Sequence, residues 1–148
     1  MCVFCKIVNG EEEGYIVYRD NYYTAFLDKY PIAPGHTLLV TNAHFENILD
    51  TSETHLNDLG KTIKMLANSI KRAVKADGIR VVSNAGRSAM QIVFHFHVHI
   101  IPTWENGYPE DFADFKPRTL LPREYYEKAR TLIYNEVNRS NHNSYLIE

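Results

Sequence analysis

The segment Gln91-Ile-Val-Phe-His-Phe-His-Val-His-Ile-Ile101 sets imidazoles against apolar side chains with a period of two. That period belongs to a β-strand, whose successive side chains point to opposite faces. The alternation predicts a strand with Gln91, His95, His97 and His99 on one face and Phe94, Phe96, Val98 and Ile100 on the other. A row of three imidazoles uses three of the seven histidines of the chain at one spot, where Thr or Lys would serve a merely wet sheet face equally well.

The remainder reads as a mixed chain. "YIVYRD" and "YYTAFLD" form a hairpin around an Asp20-Asn21 turn, and Pro31 with Pro34-Gly35 breaks the chain before a third strand, "HTLLVT", starting at His36. Thr51-Ser52-Glu53 caps a long amphipathic helix in which Leu56, Leu59, Ile63, Leu66, Ile70 and Val74 recur at helical spacing until Asp77-Gly78. That stripe is core contact. "IRVVSN" and the histidine segment add two more strands. The aromatic, Pro-containing stretch from Pro102 to Pro122 suits a lid, a binding loop or a subunit contact. A second helix is expected from Arg123 to Val137, followed by a loose tail over 138–148. Together these elements predict one α+β domain over 1–148, with an antiparallel sheet of about five strands, a long helix and a C-terminal helix.

A formal net charge of −2 over 148 residues leaves no general positive field for a nucleic acid polymer, so a small ligand is expected. The start Met1-Cys2-Val3-Phe4-Cys5-Lys6 has no secretory pattern, and no window approaches the roughly 20 apolar residues that span a bilayer. The expectation is a cytoplasmic protein without a membrane partner. In that compartment two cysteines three positions apart suit a metal or a redox pair better than a structural disulfide. Cys2-x-x-Cys5 is half of a closed zinc site, and with no other cysteine the remaining ligands would be histidines.

Residues alone leave three readings of the histidine row: half-exposed sheet residues, a catalytic metal shared by His97 and His99, or direct chemistry at phosphorus. In the last, one neutral imidazole attacks while its neighbours donate hydrogen bonds to phosphate oxygens. An ordinary pKa of about 6.5 keeps imidazole nucleophilic at neutral pH.

His95-Phe96-His97-Val98-His99-Ile100-Ile101 matches the pattern H-φ-H-φ-H-φ-φ, where φ is apolar. With "CVFCKIVNGE", "AFLDKYPIAPGH", "NAHFENILD" and Asn84-Ala85-Gly86 followed by Gln91, all in order, residues 2–104 resemble the histidine-triad (HIT) family of nucleotide hydrolases and transferases. The resemblance implies that His97 is the nucleophile, attacking an α-phosphorus and forming a covalent nucleotidyl-imidazole that water cleaves. It implies that His99 donates to a phosphate oxygen or the departing group, and that His36 closes the phosphate pocket. Asp28 would take the ribose hydroxyls, Asn84 and Gln91 would donate to phosphate or leaving group, and Ile7, Phe26 and Leu27 would wall the base.

The resemblance further implies a structural zinc on Cys2, Cys5, His44 and His95, no cofactor for the chemistry itself, and a homodimer with a shared sheet. His55 and His142 match no family block, so a solvent-facing helix position and the tail are their expected places. The chain departs from the family pattern at Met90, where Gly is common, at Ile92, where Ser or Thr often stands, and at Thr103, where Arg is usual. These changes bear on substrate preference and leave a second reading open, a nucleotide-binding or scaffold protein with vestigial activity. A Gln in place of His99 would point to the transferase and phosphorylase branches; His99 implies a hydrolase.

Overall fold

The computed structural model describes residues 2–147, and for 141–147 the backbone alone. Five strands, β1 (Ile16–Arg19), β2 (Tyr23–Leu27), β3 (Thr37–Thr41), β4 (Gly78–Val82) and β5 (His97–Thr103), form one sheet in the order β1-β2-β3-β5-β4. Every neighbouring pair is antiparallel. The hairpin turns where Asp20 Oδ1 accepts the N–H groups of Tyr22 and Tyr23. Asx side chains favour turns because they satisfy the backbone locally in this way.

The pleat divides the sheet. Ala25, Leu27, Leu39, Val98 and Ile100 face a core shared with Leu66, Ile70, Val74, Ala129 and Ile133. Phe26, Leu38 and Val40 face the other side, where they meet Phe4, Ile7 and Val8 of a six-residue helix, α1 (Val3–Val8). In register, Leu38 lies opposite His99 and Val40 opposite His97. Both histidines are thus set on the α1 side of the sheet. Gly35, at φ +84, lets the chain turn into β3 at a point where a Cβ would stand 3.0 Å from Val74.

Three expectations change. The helix expected as one piece is two, α2 (Glu53–Leu56) and α3 (Leu59–Ala73), interrupted at Asn57-Asp58, whose side chains favour caps and turns over helix interiors. Ser52 caps the first with its hydroxyl on the His55 N–H. The histidine strand is shorter than the alternation suggests: β5 starts at His97, and Gln91 to Phe96 is irregular, so Phe94 lies exposed instead of lining the core with Phe96. The last helix, α4, runs from Arg123 to Ile147 where a loose tail was expected after Val137. Arg72 of α3 holds that extension, donating to Glu136 at 3.0 Å and to Ser140 at 2.8 Å. No helix among the described residues is long and apolar enough to cross a membrane.

Ile70 is fully buried between sheet and helices. Ile70→Ala should lower the unfolding free energy by about 2–5 kcal/mol, read from denaturant titration, because the cavity at a sheet-helix junction collapses poorly.

Candidate active site

β5 presents His97 and His99 into a cleft of about 940 Å³ on the α1 side of the sheet. His36, immediately before β3, and Asp28, immediately after β2, line the same cleft. Its apolar part is made by Phe4 and Ile7 of α1 with Phe26, Leu27 and Leu38. Ile7, Phe26 and Leu27, expected as walls around a base, all line the cleft, although the Leu27 side chain belongs to the core on the other face of the sheet.

Hydrogen bonds fix the tautomer of each ring. The carbonyl of His95 can only accept, so His97 Nδ1–H donates to it at 2.6 Å and Nε2 keeps its lone pair. The Ile32 N–H donates to His36 Nδ1 at 3.0 Å, which puts the His36 proton on Nε2. That proton is donated to His99 Nδ1 at 2.9 Å, so the proton of His99 sits on Nε2. A backbone amide in the β2–β3 turn therefore makes His99 a donor at its far nitrogen.

The three rings stay neutral at neutral pH. His36 is 1% exposed, and burial, reinforced by the charges of His99, Arg118 and Arg80, pushes it down to about 3. Burial, then His97 and Arg80, lowers His99 to about 4. Burial also lowers His97, against the opposing pull of the His95 carbonyl. Asp28 moves the other way, raised by burial although Tyr30 N–H donates to its Oδ1 at 2.8 Å. Its Oδ2 is 3.5 Å from His36 Nε2. With His36 neutral this contact is polar rather than an ion pair.

Asn84 and Gln91 do not join the site in the expected way; neither lines the cleft. Gln91 is buried, and its amide braces the loop that leads to His95: Nε2 donates to the Glu46 and Val93 carbonyls, and Oε1 accepts from Gly86 N–H. Both ends are consumed internally, so Gln91 supports the site from behind. Met90, beside it, takes φ +72, the left-handed conformation that favours glycine. The loop keeps a glycine-like backbone with a methionine on it, and Met90 and Ile92, 78% and 87% exposed, stand at the cleft wall. His55 is half-buried rather than solvent-facing, against Tyr22 and Phe45 and bonded to Ser52. The side chain of His142 lies outside the described residues.

Cys2, Cys5, His44 and His95 converge at the start of α1. Their sulfurs lie 3.0 Å apart, well beyond a disulfide bond, and the sulfur to Nδ1 distances run from 3.2 to 3.6 Å. Two thiols and two imidazoles at this spacing are the donor set of a closed tetrahedral zinc site. His95 Nε2–H donates to the Thr41 carbonyl at 2.7 Å, leaving Nδ1 free to ligate. Among the described residues, Asp28, His36 and His99 form the other group of three donors that could hold a metal, and His97 is not in it.

Two further residues reach the site without a mark in the sequence. Phe4 sets its ring edge against His97, centroids 5.1 Å apart, and against His95 at 5.9 Å. The Cys pair marked the start of α1, but nothing local said that its third residue would touch the histidine row. Arg118, in the loop before α4, also lines the cleft, and only tertiary structure brings it there.

A family model described as the HIT domain matches residues 9–106. Among solved structures, a hypothetical histidine triad nucleotide-binding protein from Sulfolobus tokodaii superposes with TM-score 0.90 at 51% identity, covering 93% of each chain. A zinc-bound histidine triad family protein from Mycobacterium smegmatis gives TM-score 0.78 at 26% identity, over 95% of this chain and 96% of that one. An uncharacterized HIT-like protein of Saccharolobus solfataricus is 49% identical across 90% of this chain and 95% of its own length. An adenylylsulfatase of Arabidopsis thaliana is 33% identical over 70% of this chain and 53% of its own. Family model, near-complete relatives and the strand-borne histidines agree, and the chain belongs to the HIT domain family.

Proposed function

We propose that this chain is a hydrolase of nucleoside phosphate derivatives, such as dinucleoside polyphosphates or nucleoside phosphoramidates, acting through a covalent nucleotidyl-His97 intermediate. The observation that carries the reading is the bond from His97 Nδ1–H to the His95 carbonyl, which leaves Nε2 as a lone-pair nucleophile in a cleft. Attack by Nε2 forms an N–P bond at the α-phosphorus and breaks the bond to the leaving group, which departs with its electron pair. Water then attacks the same phosphorus, and His97 leaves as imidazole. Phosphoryl transfer asks mainly for positioning and charge stabilisation. The Nε2–H of His99, fixed in place by His36, supplies a preorganised donor for the oxygen on which charge develops. Asp28 offers an acceptor for ribose hydroxyls, and the apolar walls offer a slot for the base. An adenylylsulfatase among the relatives supports a reaction at a nucleotide phosphorus. The glycine-like backbone at Met90 favours an active enzyme over a vestigial one, since the loop geometry survives the substitution.

We assign Cys2, Cys5, His44 and His95 to a structural zinc, which when bound would clamp the start of α1 to the sheet. The zinc-bound relative supports the assignment. His95 is thereby withdrawn from the chemistry.

His97→Asn should abolish turnover of adenosine 5′-phosphoramidate and diadenosine tetraphosphate while retaining nucleotide binding. Acid quench of the wild-type reaction should trap a nucleotidyl-protein adduct; wild-type turnover by the variant contradicts the mechanism. Because burial holds His97 down, the acid limb of kcat/KM should lie below about pH 6.5. A limb above that value in the pH profile would mean an exposed base. Metal analysis should find one zinc per chain. Cys2→Ser should lose it and melt at lower temperature, although Ser keeps the helix cap that the Cys2 sulfur makes to the Cys5 N–H.

A further inference from the structure

Burial holds His36 and His99 neutral, while any nucleotide entering the cleft is an anion. The Lys and Arg side chains that line the cleft are Lys29, Arg118 and Arg123. Among the described residues the ion pairs made by Lys and Arg are those of Arg72 and Arg139 with Glu136, so none of these three cations is paired with a carboxylate.

They are held at one end of the cleft. Arg118 N–H donates to the Pro31 carbonyl at 2.7 Å, and the Tyr126 hydroxyl donates to the Lys29 carbonyl at 2.5 Å while accepting the Leu121 N–H at 3.1 Å. Gly35 N–H donates to the Tyr125 hydroxyl at 2.9 Å. Three of these bonds dock residues 118–126 onto the turn 29–35 that leads into His36, and the fourth, from Leu121 to Tyr126, braces the docked segment itself. Arg118 itself sits at φ +57, where glycine would be at ease, yet the position carries a guanidinium. Its charge reaches the site, as one of the influences that depress His36. The acidic residues of the cleft lining are Glu12, Glu13 and Asp28.

We propose that Lys29, Arg118 and Arg123 form a second anion subsite of the cleft, taking a phosphate of the substrate other than the one at which His97 reacts. The proposal rests on the reading of the cleft as a nucleotide site. It narrows the substrate class to nucleotides with at least one further phosphate, carried either in a polyphosphate chain or on the ribose. Arg118 is the specificity-determining member, because its fork of N–H donors matches phosphate oxygens. It is delivered by a loop beyond the residues that the family model matches.

The test compares kcat/KM ratios in wild type, Arg118→Gln and Arg118→Lys. One ratio sets diadenosine tetraphosphate against adenosine 5′-phosphoramidate; the other sets 3′-phosphoadenosine 5′-phosphosulfate against adenosine 5′-phosphosulfate. A charge-assisted bond to the added phosphate corresponds to about a tenfold fall in a ratio in Arg118→Gln, largely recovered in Arg118→Lys. A fall in the first ratio assigns the subsite to a polyphosphate chain, a fall in the second to a ribose phosphate. If Arg118→Gln moves neither ratio, or Arg118→Lys recovers nothing, the subsite is overturned. Wild type turning over none of the four would instead bring down the nucleotide reading itself, and the subsite with it.

Discussion

The site depends on the pleat of β5 against β3. Val98 packs with Leu39 on the helix side, which forces His97 and His99 to the opposite face beside Val40 and Leu38. A slip of one residue in this register would exchange the two sets, burying imidazoles in the core and exposing Val98 and Ile100. The apolar residues of one face therefore hold the chemistry of the other in position. Burial that follows from this placement removes water from the rings, and loss of water favours their neutral forms. Neutral rings need defined tautomers, which the backbone groups of His95 and Ile32 provide. Packing, protonation and hydrogen bonding are thus successive consequences of one strand pairing.

The divided labour of the histidine row has a geometric origin. The ladder ends at His97, and the chain before it is irregular, with Phe96 N–H donating to the Phe45 carbonyl. Freed from the ladder, His95 swings toward Cys2, Cys5 and His44 while its Nε2 remains on Thr41. A strand carried through 91–101 would have aligned three equivalent imidazoles. Its early end brings one of them to the Cys2, Cys5 and His44 donor cluster and keeps two for the cleft. Gln91 secures that irregular segment from inside, with three backbone carbonyl and amide groups satisfied by one amide side chain.

What the sequence made legible was what depends on local period and spacing. The hairpin at Asp20, the strand containing His97 and His99, the stripe of α3 and the pairing of Cys2 with Cys5 all follow from neighbours a few residues apart. Family likeness added His36, His44 and Asp28, which no local rule would bring together. The break at Asn57-Asp58 is local, at side chains that favour caps and turns. The run of α4 past Val137 is settled by a tertiary contact, from Arg72 of α3. Periodicity sees alternation but not hydrogen bonding, so the onset of β5 was set too early and Phe94 was placed inside. Arg118 reaches the cleft through the Pro31 carbonyl, a bond between main-chain groups that leaves no mark in side-chain patterning.

The short helix α1 ties the metal cluster to the cleft. Six residues make too few intrahelical bonds to stand alone in water, so the helix exists through its contacts. On one side Cys2 and Cys5 meet His44 and His95; on the other Val3, Phe4 and Ile7 form the apolar wall. Phe4 touches both His95 and His97, so the same ring leans on a member of the donor cluster and on the proposed nucleophile. Loosening the cluster would leave α1 to the packing of Phe4, Ile7 and Val8 on Phe26, Leu38 and Val40 and to the bond from Arg19 to the Val8 carbonyl. The donor cluster thus borders the cleft through α1, and a sequence that kept the histidine row but lost Cys2 and Cys5 would have to secure the start of α1 by other means.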